Sequence, residues 1–220
     1  MKKSTLTFLG KDSGFGAKNT SAFWINEKDF YLFDCGYTVF NLLKEKIDFS
    51  QFENIYIFIT HLHNDHAGSL SQLLLFLWYV HHKKATVISK CKYIQDYLSI
   101  TGTDDNIYRL TQSFGDVEFI ETKYSNYLDS YGIKISLNNK KIVYSGDTAE
   151  LSPFLPYLND ANEFYVDTSI GGFVHLKISD VLETLLQIQQ NATDVFLMHL
   201  DNENSIRDIV QDKLLFATEI

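Results

Sequence analysis

Four side chains that can bind a metal ion fall within residues 61–66, whose sequence is HLHNDH. His61 and His63 are two positions apart, so an extended backbone would point both imidazoles to the same side. Asp65 and His66 follow this pair and can face a second centre. Imidazole and carboxylate groups are the usual protein ligands of catalytic zinc. The spacing therefore favours two metal ions over one.

The alternative interpretation of residues 61–66 is a polar surface loop that is rich in histidine by chance. This segment holds three of the chain's seven histidines. Residues 55–60 before it are apolar, β-branched or aromatic, which predicts a buried strand. Residues 70–80 after it predict a mostly apolar helix. A strand, a ligand-rich loop and a helix form a natural site at the carboxyl edge of a sheet, so the metal site is favoured.

Composition and charge limit the class of protein. The chain of 220 residues fits a single domain, which we expect to span residues 1–220, and its 45% hydrophobic content is ample for a core. The net charge is −9 and no stretch is basic enough to follow a nucleic-acid backbone, so a long nucleic acid is disfavoured as a substrate. Cys35 and Cys91 are isolated, which does not suggest a disulfide framework.

The N-terminal residues and one apolar segment bear on location and assembly. Residues 1–5 lead into a strand-like run without the apolar core of a leader peptide, and the longest apolar run, residues 73–80, is too short to span a membrane. We therefore expect a cytoplasmic protein without a membrane partner. Because the helix over residues 70–80 is more apolar than one core face needs, we also expect a homodimer contact there.

Asp34 ends a predicted strand, and its role has two interpretations of equal weight. Its carboxylate could lie behind a ligand histidine and orient that ring through a hydrogen bond. It could equally cap the helix predicted over residues 38–46.

The second half of the chain repeats the order of strands followed by helices. Its predicted elements are a hairpin over 131–137 and 140–144, strands over 163–166 and 194–198, a broken helix over 149–158 and a closing helix over 202–216. The strand over 163–166 ends at Asp167 and the strand over 194–198 ends in His199. Two batches of strands, each followed by helices, predict an α/β four-layer sandwich with helices outside two face-to-face sheets.

Four motifs resemble those of the metallo-β-lactamase superfamily and, within it, the ribonuclease Z-like phosphodiesterase branch. They are FDCG at 33–36, HLHNDH at 61–66, SGDT at 145–148 and LMHL at 197–200. Together they run in the family's order over nearly the whole chain. They are specific for the superfamily and much less specific for the substrate.

This resemblance implies an αββα sandwich with two divalent metals, usually zinc. The implied ligands are His61 and His63 for the first metal, Asp65, His66 and His199 for the second, and Asp147 as the bridge. A water activated by both cations would be the nucleophile. Asp65 then counts as catalytic as well as metal-binding, and Ser69, just after the motif, is an expected substrate-binding residue.

His175 follows a glycine pair and precedes a predicted helix. By resemblance to the ribonuclease Z branch, where a histidine in a comparable loop assists near the scissile phosphate, it would bind phosphate or protonate the leaving oxygen. The alternative is a surface or helix-capping histidine. We favour the catalytic and substrate-binding role.

One position departs from the family pattern. Relatives supply a third histidine to the first metal from the segment before a Tyr-Gly or Phe-Gly strand start, and here residues 122–132 contain none. Tyr124 occupies the ligand position in our alignment, and a neutral phenol is a poor replacement for imidazole at zinc. Three consequences are open: Asp129 replaces the missing ligand, the first metal is weakly held or is an oxygen-preferring ion such as manganese, or activity is lost.

These features favour a metal-dependent phosphodiesterase that acts on a small nucleotide, cyclic nucleotides included. The runner-up is tRNA 3′-processing endonuclease activity, but the tRNA-gripping arm of those enzymes has no room in the roughly twenty residues between Tyr124 and Asp147. Hydrolysis of lactones, thioesters or β-lactams is a third alternative. The fourth is a degenerate, non-catalytic protein that binds a nucleotide or a partner.

Overall fold

Two six-stranded β-sheets lie face to face, and helices cover the outer side of each sheet. The computed structural model describes residues 4–220. Residues 1–3, on which part of the leader-peptide prediction falls, lie outside the described residues. The predicted α/β four-layer sandwich is confirmed.

The first sheet is formed by the first half of the chain, in the spatial order β1-β2-β3-β4-β5-β6. Its strands are β1 (Thr7–Gly10), β2 (Ser21–Asn26), β3 (Asp29–Phe33), β4 (Asn54–Phe58), β5 (Ala85–Ile88) and β6 (Tyr108–Thr111). The strands from β1 to β3 pair antiparallel, and every pair from β3 to β6 is parallel. Parallel strands need crossover connections, which the helices of this half provide.

The second sheet repeats this pattern of pairing with the second half of the chain. Its strands are β7 (Glu118–Glu121), β8 (Tyr131–Leu137), β9 (Lys140–Tyr144), β10 (Glu163–Asp167), β11 (Asp194–Met198) and β12 (Leu215–Phe216). The strands from β7 to β9 pair antiparallel, and those from β9 to β12 pair parallel. Each sheet therefore presents the carboxyl ends of several parallel strands at one edge.

The helices connect the parallel strands and bury one face against a sheet. They are α1 (Val39–Lys46), α2 (Asn64–Ala67), α3 (Leu70–His81), α4 (Ile94–Ile100), α5 (Leu155–Leu158), α6 (Ile178–Gln190) and α7 (Glu203–Val210). In α3 the buried side chains include Leu70, Leu73, Leu74 and Leu77, which recur at the spacing of one helix face. None of the helices found in residues 4–220 has the length and apolar character needed to cross a membrane.

A continuous aromatic and aliphatic layer fills the space between the two sheets. Phe33 of β3 stacks on Phe58 of β4 with ring centroids 5.1 Å apart, and Tyr144 of β9 packs against Phe33 from the opposite sheet. Phe33 lies one residue before Asp34, and Phe58 and Tyr144 lie three residues before His61 and Asp147. The core thus fixes where the strands end.

The hairpin predicted over 131–137 and 140–144 is confirmed as β8 and β9. Asn138 and Asn139 connect the strands, and both have positive φ, at 51° and 59°. A two-residue turn with both φ values positive matches the twist of a β-hairpin, and asparagine tolerates this conformation well.

Three assignments in the rest of the chain are wrong or incomplete. The closing helix predicted over 202–216 ends at Val210, because Gln211 and Asp212 adopt positive φ, and Leu215–Phe216 then pairs with β11. The broken helix predicted over 149–158 is reduced to α5, a single turn with a proline in its first positions. The edge strand β6 was not predicted.

Candidate metal centre

Loops from both sheets bring polar side chains together at one edge of the sandwich. Most of these residues lie at, or just past, the carboxyl end of a strand that has a parallel neighbour: Asp34 after β3, His61 and His63 after β4, Asp147 after β9, Asp167 at the end of β10 and His199 after β11. Asp65 and His66 lie in α2, the short helix that follows the β4 loop. This is the position where open parallel sheets commonly form their sites.

One group, which we call the first centre, contains His61, His63 and Asp147. One ligand atom from each lies within 4.8 Å of the others. Nε2 of His61 is 3.5 Å from Oδ2 of Asp147. His61 is fully buried, whereas His63 is half-buried at the mouth of the site.

Tyr124 lies at the first centre, beside His61 and His63. Its hydroxyl is 2.8 Å from Nδ1 of His63, and its ring centroid is 5.1 Å from that of His61. Burial and the charge of Asp147 raise the pKa of the Tyr124 phenol far above its usual value. The alternative ligand, Asp129, is engaged elsewhere, because its carboxylate accepts the backbone N–H of Lys92 at 2.9 Å.

The second centre contains Asp65, His66, Asp147 and His199. Oδ1 of Asp147 is 3.1 Å from Nε2 of His66 and 3.4 Å from Nε2 of His199. Oδ2 of Asp65 is 3.3 Å and 3.2 Å from the same two nitrogens. Since Oδ2 of Asp147 faces the first centre and Oδ1 faces the second, this carboxylate lies between the two groups.

Several buried atoms of these groups lack a hydrogen-bond partner among residues 4–220. They include Nε2 of His61 and both carboxylate oxygens of Asp147, which is completely buried. A buried carboxylate without partners is costly unless a cation neutralises it. Buried ligand atoms that converge and lack hydrogen-bond partners are expected of side chains that bind a shared metal, so these residues fit divalent ions.

The electrostatics of the cluster also favour bound positive charge. Burial opposes ionisation of Asp147, but the charges on His199 and His66 hold its pKa well below the usual range. Burial likewise opposes a charge on His199, yet Asp147 and two further carboxylate contacts raise its pKa to about 10. Burial and the charge of His66 keep the pKa of His61 well below its usual value. Protons and metal ions therefore compete for this cluster.

Asp34 lies directly behind His66. Its buried carboxylate is 2.9 Å from Nδ1 of His66 and accepts the backbone N–H of Thr60 at 2.9 Å and the hydroxyl of Tyr144 at 3.3 Å. Such a carboxylate fixes the ring orientation of a ligand histidine and leaves Nε2 free for a metal. The capping alternative is wrong, because the residue at the N-terminus of α1 is Thr38.

Asp167 has the same relation to His199 and is a site residue that the sequence motifs do not predict. Its Oδ1 is 3.3 Å from Nδ1 of His199, and its Oδ2 is 2.8 Å from Nδ1 of His175 and accepts the N–H of Thr148 at 3.0 Å. Together with Asp147 these residues form a third group of ligand atoms within 4.8 Å of one another. The available signal was a carboxylate that ends a buried strand, as Asp34 does in the first half.

His175 lies at the mouth of the site. It is half-buried, and its ring centroid is 5.0 Å from that of His199 and 5.4 Å from that of Tyr124. Burial opposes its protonation, but the hydrogen bond and charge of Asp167 raise its pKa above the usual value. It does not cap α6, whose N-cap is Lys177.

Ser69 has a structural role instead of the expected substrate-binding role. Its side chain is buried, and its hydroxyl donates to the carbonyl of Gly36 at 2.6 Å while accepting the N–H of Phe40 at 3.1 Å. The hydroxyl ties the start of α3 to the loop before α1. It is therefore not available to a substrate.

Backbone conformations at the site are unusual for residues with a side chain. Asp34 and His199 both have positive φ, at 61° and 55°. Such strain is typical of sites whose surroundings force a side chain into a required direction. Gly36 allows close packing behind the ligands, because a Cβ there would lie 2.0 Å from the carbonyl oxygen of Asp65.

Comparisons with known proteins give one partial sequence match. The family model described as Anti-Pycsar protein Apyc1 matches residues 4–99, which is less than half of the chain. This segment contains residues 61–66 but not Tyr124, Asp147 or His199. No protein of curated function matches the chain in sequence.

Solved structures match nearly the whole chain at low sequence identity. The metallo-β-lactamase fold protein YhfI from Bacillus subtilis matches with a TM-score of 0.74 and 16% identity, covering 97% of this chain and 93% of that one. The short form of human tRNase Z matches with a TM-score of 0.71 and 16% identity, covering 97% and 96%. A diphosphatase of the PhnP family matches with a TM-score of 0.68 and 13% identity, covering 97% and 94%.

Proposed function

We propose, because this chain has the metallo-β-lactamase fold and its site residues fit divalent cations, that it is a metal-dependent phosphodiesterase of small nucleotides, cyclic nucleotides included. The observation that carries the proposal is the buried carboxylate of Asp147. Its two oxygens lack hydrogen-bond partners and face imidazoles on opposite sides. Two bound cations, zinc or manganese, would activate water and neutralise charge on a phosphate.

In this proposal the ligands divide as the family resemblance implies. His61 and His63 hold the first metal, and Asp65, His66 and His199 hold the second, with Asp147 shared by both. We further propose that the second centre binds its metal more tightly. It has three ligands of its own, whereas the hydroxyl of Tyr124 already engages one ring nitrogen of His63.

We assign His175 the handling of the phosphate and of the leaving oxygen. Asp167 holds its Nδ1 at 2.8 Å, which leaves Nε2 as the nitrogen that can meet a substrate. A protonated Nε2 donates a hydrogen bond to a phosphate oxygen. The same proton can pass to the leaving oxygen as the ester bond breaks, and the carboxylate of Asp167 then stabilises the correct ring orientation.

Two features favour a small substrate over tRNA, although human tRNase Z shares the fold. The segment between Tyr124 and Asp147 consists largely of the hairpin β8–β9 with a two-residue turn, which leaves no room for an arm that grips tRNA. The net charge of −9 gives no electrostatic help in binding a long polyanion. The PhnP-family neighbour, whose name identifies it as a diphosphatase, is consistent with a smaller phosphate ester.

A second candidate is a non-catalytic protein that binds a nucleotide with one metal or none. The contact of 2.8 Å between Tyr124 and His63 is the observation that favours it. The phenol engages a ring nitrogen of His63 that a metal would otherwise use, so the first centre would hold its metal weakly or not at all.

The deciding experiment is a hydrolysis screen on protein stripped with a chelator and reloaded with zinc or manganese. Substrates would be cyclic and linear nucleotides, a tRNA precursor and a lactone, with Asp147→Asn as the matched variant. We expect metal-dependent cleavage of nucleotides that the variant loses. Cleavage of only the tRNA precursor or only the lactone would replace the proposal with that activity. No cleavage of any substrate would favour the binding protein.

We also propose a homodimer through the carboxyl end of α3, where Trp78, Tyr79 and Val80 are exposed while Leu77 is buried. Light scattering of the protein and of Tyr79→Glu would test this. A dimer that the substitution converts to a monomer supports the contact, and a monomeric wild type contradicts it.

A further inference from the structure

Among residues 4–220, three large apolar side chains stand out by nearly complete exposure. They are Phe15, Tyr127 and Phe173, at 106%, 96% and 95% of the reference area. All three are aromatic. Each lies on a loop that also holds or contacts a residue of the candidate site, which is unexpected for apolar side chains scattered singly over a surface.

Phe173 lies two residues before His175 in a turn closed by a hydrogen bond from His175 N–H to the carbonyl of Gly172 at 3.1 Å. Its φ is +64°, a left-handed conformation that is rare for a residue with a bulky side chain. The ring gains little packing in return, since 95% of its reference area is exposed. The strained conformation therefore presents the ring to solvent beside the site.

The loop that carries Phe173 is held firmly at its base. Ser169 N–H donates to the carbonyl of Leu176 at 2.8 Å, and the Ser169 hydroxyl accepts the N–H of Gly172 at 2.8 Å. The carboxylate of Asp201 accepts the N–H of Ile170 at 3.0 Å. A ring on such a loop is positioned before a ligand arrives, which lowers the entropic cost of binding.

Phe15 lies at the tip of a second loop, in a turn closed by Gly16 N–H and the carbonyl of Ser13 at 2.9 Å. A Cβ at the neighbouring Gly14 would be 3.2 Å from Oδ2 of Asp65, so the backbone here runs along the second centre. Tyr37 donates its hydroxyl to the carbonyl of Gly14 at 3.4 Å.

Tyr127 lies on a third loop, three residues after Tyr124. Its N–H donates to the hydroxyl of Ser125 at 3.1 Å. Because Tyr124 contacts His63, this loop borders the first centre. The three exposed rings thus belong to loops that border the first centre, the second centre and His175.

We propose that Phe15, Tyr127 and Phe173 form an aromatic rim on which the nucleobase of the substrate stacks, with Phe173 as the principal contact. This inference rests on the proposed phosphodiesterase function, and it assigns the part of the substrate that the metal centre does not hold. A nucleotide separates its base from its phosphate by one sugar. Phe173 and His175 are two residues apart, and two residues of chain span at most about 7 Å between Cα atoms, so a nucleotide whose phosphate meets His175 has the Phe173 loop within reach of its base.

The chemistry of the rim suits a base better than the other groups of a nucleotide. Aromatic side chains stack on the faces of all bases, with modest selectivity among them. The described rim residues carry no charge, and the site behind them supplies the imidazoles and cations for phosphate. The rim therefore predicts a preference for nucleotides over phosphate esters that lack a base.

The test measures binding of a nucleoside 5′-monophosphate and of ribose 5-phosphate by calorimetry on the zinc-loaded protein. Variants would be Phe173→Ala, Phe173→Trp, Phe15→Ala and Tyr127→Ala. Ile100→Ala is the matched control, because Ile100 is also highly exposed, at 85%, but lies on α4, which carries no proposed site residue. The ratio of the two dissociation constants isolates the contribution of the base.

We expect wild type to favour the nucleoside monophosphate and Phe173→Ala to lower this preference roughly 5- to 150-fold, as expected for loss of one stacking contact. Phe173→Trp and Ile100→Ala should retain the preference. An unchanged ratio in all three alanine variants of the rim would overturn the inference. Rim variants that convert a dimer to a monomer while the ratio of dissociation constants stays constant would also overturn the inference, since the rim would then be a contact between copies of the chain.

Failure of the proposed function would look different from failure of the rim. Suppose that wild type hydrolyses no phosphodiester, including a cyclic ribose phosphate without a base, and that Phe173→Ala still lowers the binding preference for the base. That result would contradict the proposed enzyme activity and support the rim. Hydrolysis at equal efficiency with and without a base would support the enzyme and overturn the rim.

Discussion

The two centres share Asp147 but differ in what lies behind their histidines. At the second centre, the outer nitrogens of His66 and His199 each face a buried carboxylate, from Asp34 and Asp167. A carboxylate in this position raises the basicity of the imidazole and fixes its orientation. Both second-centre histidines are therefore prepared to bind a cation.

At the first centre the outer partner of His61 is neutral, because Nδ1 of His61 is 3.1 Å from the hydroxyl of Thr60. The hydroxyl of Tyr124, 2.8 Å from Nδ1 of His63, lies on the ligand side of that ring, where the charge of Asp147 also acts on it. With fewer ligands and no carboxylate behind them, these histidines should hold a metal less tightly. We therefore expect the metal affinity of such a site to depend on the outer partners of the histidines as well as on the ligands themselves.

The most severe change to both centres is Asp147→Ala. It removes the one ligand that they share, so we expect metal content to fall at both and turnover to drop by on the order of 10³-fold or more. Elemental analysis and a nucleotide hydrolysis assay would measure this, with circular dichroism to verify folding. Near-normal turnover in a folded variant would exclude the bridging role.

Removing one histidine from each centre separates the two. We expect His199→Ala to cost more zinc affinity than His63→Ala, because His199 belongs to the centre with the fuller ligand set. Competition against a chelator of known affinity would give both values. Equal losses, or a larger loss for His63→Ala, would reverse the proposed ranking.

The outer carboxylates can be neutralised without changing their shape. Asp34→Asn and Asp167→Asn should each weaken zinc binding roughly 10- to 100-fold at the second centre. Asp167→Asn should also lower turnover at saturating metal, since Asp167 holds His175 as well. Asp129→Asn is the matched control, because that carboxylate accepts a backbone N–H away from the ligands. If Asp34→Asn left zinc affinity unchanged, the carboxylates behind the histidines would not explain the expected difference in affinity between the two centres.

Tyr124→His should make the zinc affinity of the first centre more similar to that of the second. A third imidazole would replace the phenol, and we expect zinc affinity at this centre to rise by about tenfold or more, the scale on which partner changes act at metal sites. Tyr124→Phe is the control that removes the hydroxyl without adding a ligand, and it should give a smaller gain. Equal gains in both variants would mean that loss of the hydroxyl, and not a new ligand, is responsible.

The smallest expected effect is on stability as a function of pH. In protein stripped of metal, the raised pKa values of His66 and His199 contribute stability that is fully present below about pH 6.5 and is lost as pH rises, for His199 towards pH 10. Zinc replaces those protons, so the melting temperature of the stripped protein should fall by several degrees over this window while that of the loaded protein falls less. Parallel curves for the two forms would contradict this linkage.

The sequence predicts the residues that converge at the two centres, because each of them has a local signature. Residues 61–66 are contiguous, and Asp147 and His199 follow strands that are clear from their apolar runs. Asp167 had no such signature, since a single aspartate at a strand end is equally typical of a cap or a turn. The role of Ser69 depended on which way its hydroxyl points, and only the packing of α3 against the loop before α1 determines that.

The elements of the fold likewise divide into those with a local sequence signature and those without one. Strands with alternating or continuous apolar residues were predicted within a few residues, and the two strands of the hairpin β8–β9 were predicted with the bounds that the structure has. β6 and β12 are short edge strands whose pairing depends on a neighbour distant in sequence. The contact between Tyr124 and His63 is of the same kind, because a loop 61 residues away brings the phenol to the ring.

The most direct test of the unequal centres is a crystal grown with one equivalent of zinc per chain and measured at the zinc absorption edge. The anomalous signal should be strongest among Asp65, His66, Asp147 and His199, with a weaker signal or none beside His61 and His63. A signal of equal or greater strength at His61 and His63 would contradict the account.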